Sequence, residues 1–342
     1  MFYQCPECKK IWQQPVGKCP ECFILLERMP AGKAKVIGLS KVIIPSLAHP
    51  KVPYFAVLLE DETGNRWAQK SFKEYKIGEK FSVSENGGGD PRTVAIWRIK
   101  YDIMEAVEKI VGSLGGVEID GRTKVLIIPA LNSPKHSYFA ENTSPEFLEE
   151  TIKFLLAKGA LTENIKVGSQ SFNDIPIEAS AQKSGLLDVC LNFKIMPFDL
   201  AKGNFEKKGD LEIAGEVFKA DLIVNLPILK IGQAGSCENL FKFLKKENYL
   251  GQKYLYSQKE ILGNLKKYLP QVLTIAQADN VQKPDKFVRY LGLALAGFDA
   301  LAVDRVFNDI TSNGPLPEML SGVKIEEIPV VGRTVEEAKF NS

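Results

Sequence analysis

Two identical CPEC knuckles stand near the start of the chain, Cys5–Cys8 and Cys19–Cys22. The spacing C-x2-C-x10-C-x2-C restricts what residues 1–30 can become. Each knuckle supplies two sulfurs from one tight turn, and a short hairpin between them brings all four thiolates into a tetrahedral shell. A complete shell leaves no position for a reacting water, so the expected role of Cys5, Cys8, Cys19 and Cys22 is to hold a structural metal. Zinc is the default, as a rubredoxin-like zinc ribbon; a mononuclear iron site uses the same ligands. Of the six cysteines, Cys190 and Cys237 lie in apolar stretches and read as small core residues. This usage suits metal in a reducing, cytoplasmic setting better than a disulfide framework.

Residues 31–100 break into five short strand-like runs: AKVIGLSKVII, YFAVLLED, RWAQKS, KFSVSE and TVAIWRIK. Gly64-Asn65, Gly78 and Gly87-Gly88-Gly89 punctuate them as turns. Five short strands in so little chain suggest a small β-barrel, with an OB fold the leading candidate. Such barrels bind single-stranded nucleic acid through aromatics on a basic groove. Trp67, Phe72, Tyr75 and Trp97 with Lys70, Lys73 and Lys76 are the residues available for that, although barrel core is the more economical use of the rings. Residues 1–100 carry 16 Lys/Arg against 10 Asp/Glu, and the rest carries 28 against 32. That asymmetry is too mild to imply a nucleic-acid partner.

The segment YDIMEAVEKIVGSLGG, residues 101–116, has Ile103, Ala106, Val107, Ile110 and Val111 at helical spacing and stops at Gly115-Gly116. It reads as a connecting helix. Beyond it, over 117–342, short apolar runs alternate with amphipathic ones. KVLIIPAL, NIKVGSQ, LLDVCLNFKI, ADLIVNLPIL, QVLTIAQAD and YLGLALAGF read as strands. SPEFLEETIKFLLAKG, PIEASAQKSG, SCENLFKFLKKE and DALAVDRVFNDI read as helices. The pattern predicts a multi-domain protein whose larger part is a mainly parallel α/β sheet covered on both faces. No apolar run reaches the length of a membrane span, and no secretory signal is visible.

Two family resemblances follow from these phrases. The knuckles with GLSKVIIPSLAHPKVPYFAVLLED and YKIGEKFSV, about residues 1–100, resemble the ribbon-plus-OB family called domain of unknown function 35. That resemblance implies an accessory module that docks an acyl-CoA enzyme, with the OB face receiving the CoA tail. NTSPEFLEETIKFLLAKGA, ADLIVNLPILKIG, ENLFKFL, LALAGFDALAVD and IPVVG resemble domain of unknown function 362, over about residues 117–332. That family is often fused to ferredoxin-type clusters and brings no activity to carry over. Here Ile128-Pro129-Ala130 replace its usual Lys-Pro-Asn, Ile231-Gly232 stand where a histidine is common, and Glu238-Asn239 replace Lys-Asn. The cluster motif C-x2-C-x2-C-x3-C-P is absent from the sequence.

No dinucleotide or P-loop fingerprint is present, and the only histidines, His49 and His136, are far apart. Whether the chain is an enzyme is left open. Sheets of this class bind ligands beyond the C-terminal ends of their strands. The polar groups there are Asn132, Ser133 and His136; Lys230, Gly232, Gly235 and Ser236; and Asp279 with Asn280. The stretch NLPILKIGQAGSCENLF is the strongest candidate. Lys230 ends a strand, Gly232 and Gly235 let the backbone come close, and Ser236 caps a helix whose N–H groups face the same space. Asn239 adds a donor. A lysine and a helix N-terminus converging there predict a small phosphorylated, carboxylate or CoA-linked ligand. Asp299 reads as a helix N-cap, and Asp304, on a buried helix face, needs a partner, either a lysine or a pocket, which adds it to the candidate ligand-binding residues. The Lys-rich segment 242–267 reads as a solvated helix face.

Overall fold

The computed structural model describes residues 2–12, 18–29, 34–44, 53–62, 64–71, 74–81, 90–100, 102–311 and 316–339. His49, Phe72 and Lys73 lie outside them. The chain divides into two units, Met1–Gly89 and Asp90–Ser342.

In the first unit, β1 (Phe2–Gln4) pairs antiparallel with β2 (Ile11–Trp12) and β3 (Glu27–Met29), and the cysteine turns connect them. A second, four-stranded antiparallel sheet runs in the order β6-β5-β4-β7, from β4 (Ala34–Val42), β5 (Tyr54–Asp61), β6 (Arg66–Ser71) and β7 (Lys80–Phe81). Alternation along β5 turns Phe55, Val57 and Leu59 to one face, where they meet Ala34 and Val36. Trp67 and Tyr75 pack against this cluster. The two rings therefore serve the small core more than an open stacking platform.

The second unit is built on one sheet, ordered β11-β10-β9-β14-β16-β17-β8-β18 among the described residues. Its members are β8 (Val94–Arg98), β9 (Val125–Pro129), β10 (Ile165–Ser169), β11 (Phe198–Asp199), β14 (Leu222–Leu226), β16 (Gln271–Gln282), β17 (Val288–Gly297) and β18 (Val330–Gly332). A short β15 (Ile228–Lys230) continues from β14 and pairs with the far half of β16. The hairpin β12 (Phe205–Lys208) and β13 (Leu211–Ala214) stands apart from the sheet. Within the sheet, every pairing among the described residues is parallel except the two made by β17. β9 and β14 are buried at every position, as a sheet covered on both faces requires.

Two layers supply that cover. Val125, Ile127 and Val224 face α1 (Ile103–Ser113), α2 (Pro145–Ala157), α3 (Ile177–Ser184) and α4 (Leu186–Asn192). Leu126, Ile128 and Ile223 face α5 (Gly235–Leu240), α6 (Lys246–Leu255) and α7 (Gln258–Lys266). α8 (Ala300–Thr311) packs Val303, Val306 and Phe307 on Ile96, Leu293 and Leu295, and α9 (Val335–Ala338) follows β18. Among the described residues no helix is long and apolar enough to cross a membrane.

Three sequence expectations change. TVAIWRIK is no barrel strand: Val94–Arg98 lies between β17 and β18, so the barrel loses its fifth strand and Trp97 with it. The helix at 103–113 is no connector, because Ala106, Val107, Ile110 and Val111 are buried in the core of the second unit. LLDVCLNFKI is not a strand. Gly185, at φ 85°, closes α3 and lets the chain re-enter a helix, whose buried Leu186, Val189 and Cys190 follow the i, i+3, i+4 rule.

Candidate functional site

The two knuckles repeat one backbone geometry. Lys9 N–H donates to the Cys5 carbonyl at 3.0 Å and Phe23 N–H to that of Cys19 at 2.9 Å. Both Lys9 and Phe23 turn through positive φ, 59° and 58°. The four sulfurs lie within 4.8 Å of one another, Cys5 and Cys19 buried and Cys8 and Cys22 half-buried. Cys8 Sγ and Cys19 Sγ are 3.7 Å apart. Four sulfurs at 2.3 Å from a central ion stand about 3.8 Å from each other, so the donor set fits a tetrahedral metal. A disulfide would need about 2.05 Å, and all six cysteines are free.

The second candidate lies where the strand order reverses. From β9 the chain steps to β10 and β11 on one side, then crosses back to β14 on the other. The helices after β9 and β14, α2 and α5, cover opposite faces. The C-terminal ends of β9 and β14 therefore lie at a topological switch point, the usual ligand position in open α/β sheets. On one side is the loop 130–143, pinned by buried Asn142. Its Oδ1 accepts from the N–H groups of Asn132 (2.8 Å) and Ser133 (3.2 Å), and its Nδ2 donates to the carbonyls of Ser133 and Lys135. On the other side are β15 and α5.

Two lysines lie on the segments that follow these strand ends, Lys230 on β15 and Lys242 just after α5. Lys230, half-buried at the end of β15, has its pKa lowered by burial, with Glu141 pulling it back up and Lys286 pushing further down. Lys242 is only 7% exposed, and among the described residues its Nζ has one hydrogen-bond contact, the Leu131 carbonyl at 3.5 Å. Burial, then the charge of Lys230, brings the Lys242 amine down to about 7. Neither lysine has a carboxylate within ion-pair distance among the described residues. Glu141 is held by Lys135 at 2.7 Å, and despite its burial that contact helps bring its carboxyl down to about 2. Glu238 reaches solvent, yet the protein around it raises its pKa against the pull of Lys230 and Lys253.

The segment carrying Lys242 is fixed from behind. Buried Gln170, just past β10, donates its Nε2 to the carbonyls of Lys242 and Leu244, both at 2.5 Å. Gln170 also borders a cavity of about 880 Å³ at the ends of β10 and β11. Three lysines of that cavity are ion-paired, Lys202 to Glu178, Lys245 to Glu212 and Lys246 to Asp174. The charge pattern there is close to neutral, unlike the surroundings of Lys230 and Lys242.

The family model described as Domain of unknown function (DUF362) matches residues 125–309, from β9 into α8. The chain belongs to this family. No curated protein matches it. Within the DUF362 segment, Ile128 and Ala130 are buried, Ala130 against Ala140 and Ile228. Two of the positions at which the chain departs from the family's polar pattern thus pack as core.

Of the residues expected at a ligand site, Lys230 stands half-buried at the end of β15 without an ion-pair partner among the described residues, and the others bond within the frame. Ser236 is not an N-cap. α5 starts at Gly235, and the N–H groups of Ser236 and Cys237 are taken at 2.9 Å by the carboxylate of Asp304. Asp304, with 0% exposure, found its partner in a helix end, not in a lysine or a pocket. The helix N-terminus expected to meet an anion is filled from within. Gly235 sits where a Cβ would stand 3.0 Å from the Ile228 carbonyl, so it permits close helix–strand packing; Gly232, at φ 78°, makes the turn. Asn239 donates to the Ile128 carbonyl (2.8 Å) and to Asn225 Oδ1 (2.9 Å), tying β9 to β14. Asn132 donates to the Glu141 carbonyl at 2.8 Å, and Asp279 accepts from Gln277 and Asn280. Asp299 does cap α8, accepting from Leu301 N–H at 2.9 Å, and pairs with Lys266. Lys242 is buried and leaves the solvated face expected for segment 242–267. The signal for its burial was its flanks, Leu240-Phe241 and Phe243-Leu244.

Proposed function

We propose that the second unit binds a small anionic ligand, a phosphorylated, carboxylate or CoA-linked molecule, in a crevice beyond the C-terminal ends of β9 and β14. The observation that supports this most is the pair Lys230 and Lys242, two lysines at a topological switch point with no carboxylate paired to either among the described residues. A buried ammonium has three N–H groups to satisfy, and here one long contact serves them. An anion entering the crevice supplies the missing acceptors and charge. The first unit, in this reading, is a zinc ribbon leading into an OB-like sheet, with the metal in a structural role.

The test is a thermal-shift series with inorganic phosphate, oxalate, malonate and coenzyme A. A ligand at 100 times its dissociation constant stabilises by about 2.7 kcal/mol. Lys230→Ala should weaken the best ligand about tenfold, as expected for loss of a charge-assisted contact. Stabilisation that is unchanged in Lys230→Ala moves the site elsewhere.

A further inference from the structure

Anion binding leaves the nucleophilic capacity of Lys242 unused. It is the only lysine buried among the described residues. Its neighbours along the chain, Phe241 and Phe243, are fully buried, and the Gln170 clamp holds its carbonyl, so the backbone under the amine is fixed. The amine itself is not held. Among the described residues its sole hydrogen-bond contact is 3.5 Å long and no acid pins a proton on it, whereas Lys245 and Lys246 just beyond are both ion-paired. An amine in an apolar setting beside a second cation is the arrangement that keeps a lysine neutral and nucleophilic.

We propose that Lys242 forms an imine with a small ligand that carries a carbonyl next to an anionic group, while Lys230 holds the anion. The inference rests on the binding reading above and names its ligand class. The lone pair of Lys242 Nζ forms the C–N bond as the carbonyl π pair moves onto oxygen, which takes a proton from solvent at the crevice mouth. The nitrogen gives up one proton to leave a neutral carbinolamine; its hydroxyl takes a second proton from solvent and leaves as water as the nitrogen lone pair forms C=N, and the nitrogen then returns its remaining proton to solvent. One water is released and nothing is oxidised or reduced. The low value of the Lys242 amine, about 7, leaves a substantial neutral fraction at neutral pH, which the first step requires.

The experiment uses the full chain at neutral pH with pyruvate and, separately, pyridoxal 5′-phosphate as probes. Each is followed by borohydride reduction and peptide mapping. The expected result is a reduced adduct concentrated at Lys242, about tenfold above exposed lysines such as Lys207, and diminished by inorganic phosphate. In Lys230→Gln the labelling at Lys242 should fall while the melting transition is retained. Adducts on surface lysines with Lys242 bare would overturn the imine. If phosphate still stabilises the chain in that case, the binding reading stands alone; if it does not, both fall.

Discussion

Lys242 and Asp304 are buried to a similar degree, and the fold treats their charges differently. Asp304 has two backbone N–H groups at the start of α5, a site that suits negative charge. Burial still raises its carboxyl to about 7, the N–H groups of Cys237 and Ser236 pulling it back. Asp304→Ala strands both donors in the core and should cost about 2–4 kcal/mol in urea unfolding. Asp304→Asn should recover only part of that, because an amide turns one donor toward another. Lys242 has no such support. Its amine titrates near 10.5 in the unfolded chain and about 7 in the folded one, so between those values the unfolded chain holds the extra proton. Stability should therefore rise as pH climbs from about 7 to about 10.5. Lys242→Met should flatten that rise and be the more stable protein at pH 7. Paired urea melts of the two proteins at pH 7 and 9 measure the difference directly; parallel slopes would show Lys242 charged in the fold.

At the scale of elements, the cysteine turns show how far a short motif can be trusted. Spacing alone put four sulfurs together, because the ligand geometry is local and each knuckle is one turn. Among the described residues the four-stranded sheet of the same unit has five buried apolar residues in its cluster, too few to hold a unit of this size comfortably. Freshly purified protein should carry about one equivalent of zinc by elemental analysis. Removal by a strong chelator, or Cys8→Ser, should abolish a low-temperature transition and leave the melt of the second unit in place. Elsewhere, element type was legible where periodicity was long, as in α2 and α8. It failed at 186–192, where seven residues rich in Leu and Val fit either period and Gly185 decided the outcome through its positive φ. The ligand stretch failed differently. Strand, turn and helix were all read in the right order, but only the fold reveals that Asp304, 68 residues from Ser236 along the chain, fills the helix end. Lys242 escaped because a lysine-rich run looks solvated until one member is seen between two buried phenylalanines.

For the molecule as a whole, the boundary lies earlier than the glycine pair at 115–116 suggests, because a strand pairing across the length of the chain leaves no local trace. The second unit begins at Asp90. A fragment of residues 90–342 should therefore fold with a cooperative melt. A fragment starting at 117 lacks β8 and α1 and leaves one side of β17 unpaired with four buried side chains of α1 missing. At about 1.5–3 kcal/mol for each larger apolar side chain, that loss exceeds the usual stability of a domain once the strand is included. Circular dichroism melts of the two fragments decide the point, and a stable 117–342 fragment would show that β8 is dispensable.

The position of β8 also sets a timetable. Val94 is made early, but its partner Gly297 leaves the ribosome about two hundred residues later, and Val330 later still. Through most of synthesis the apolar run VAIWR and the greasy side of the helix behind it wait without a neighbour. The nascent chain is thus most exposed to aggregation before residue 297, and a ribosome that stalls there releases a sticky product. Growth conditions that slow translation late in the message should hurt the yield of this protein more than those that slow it early.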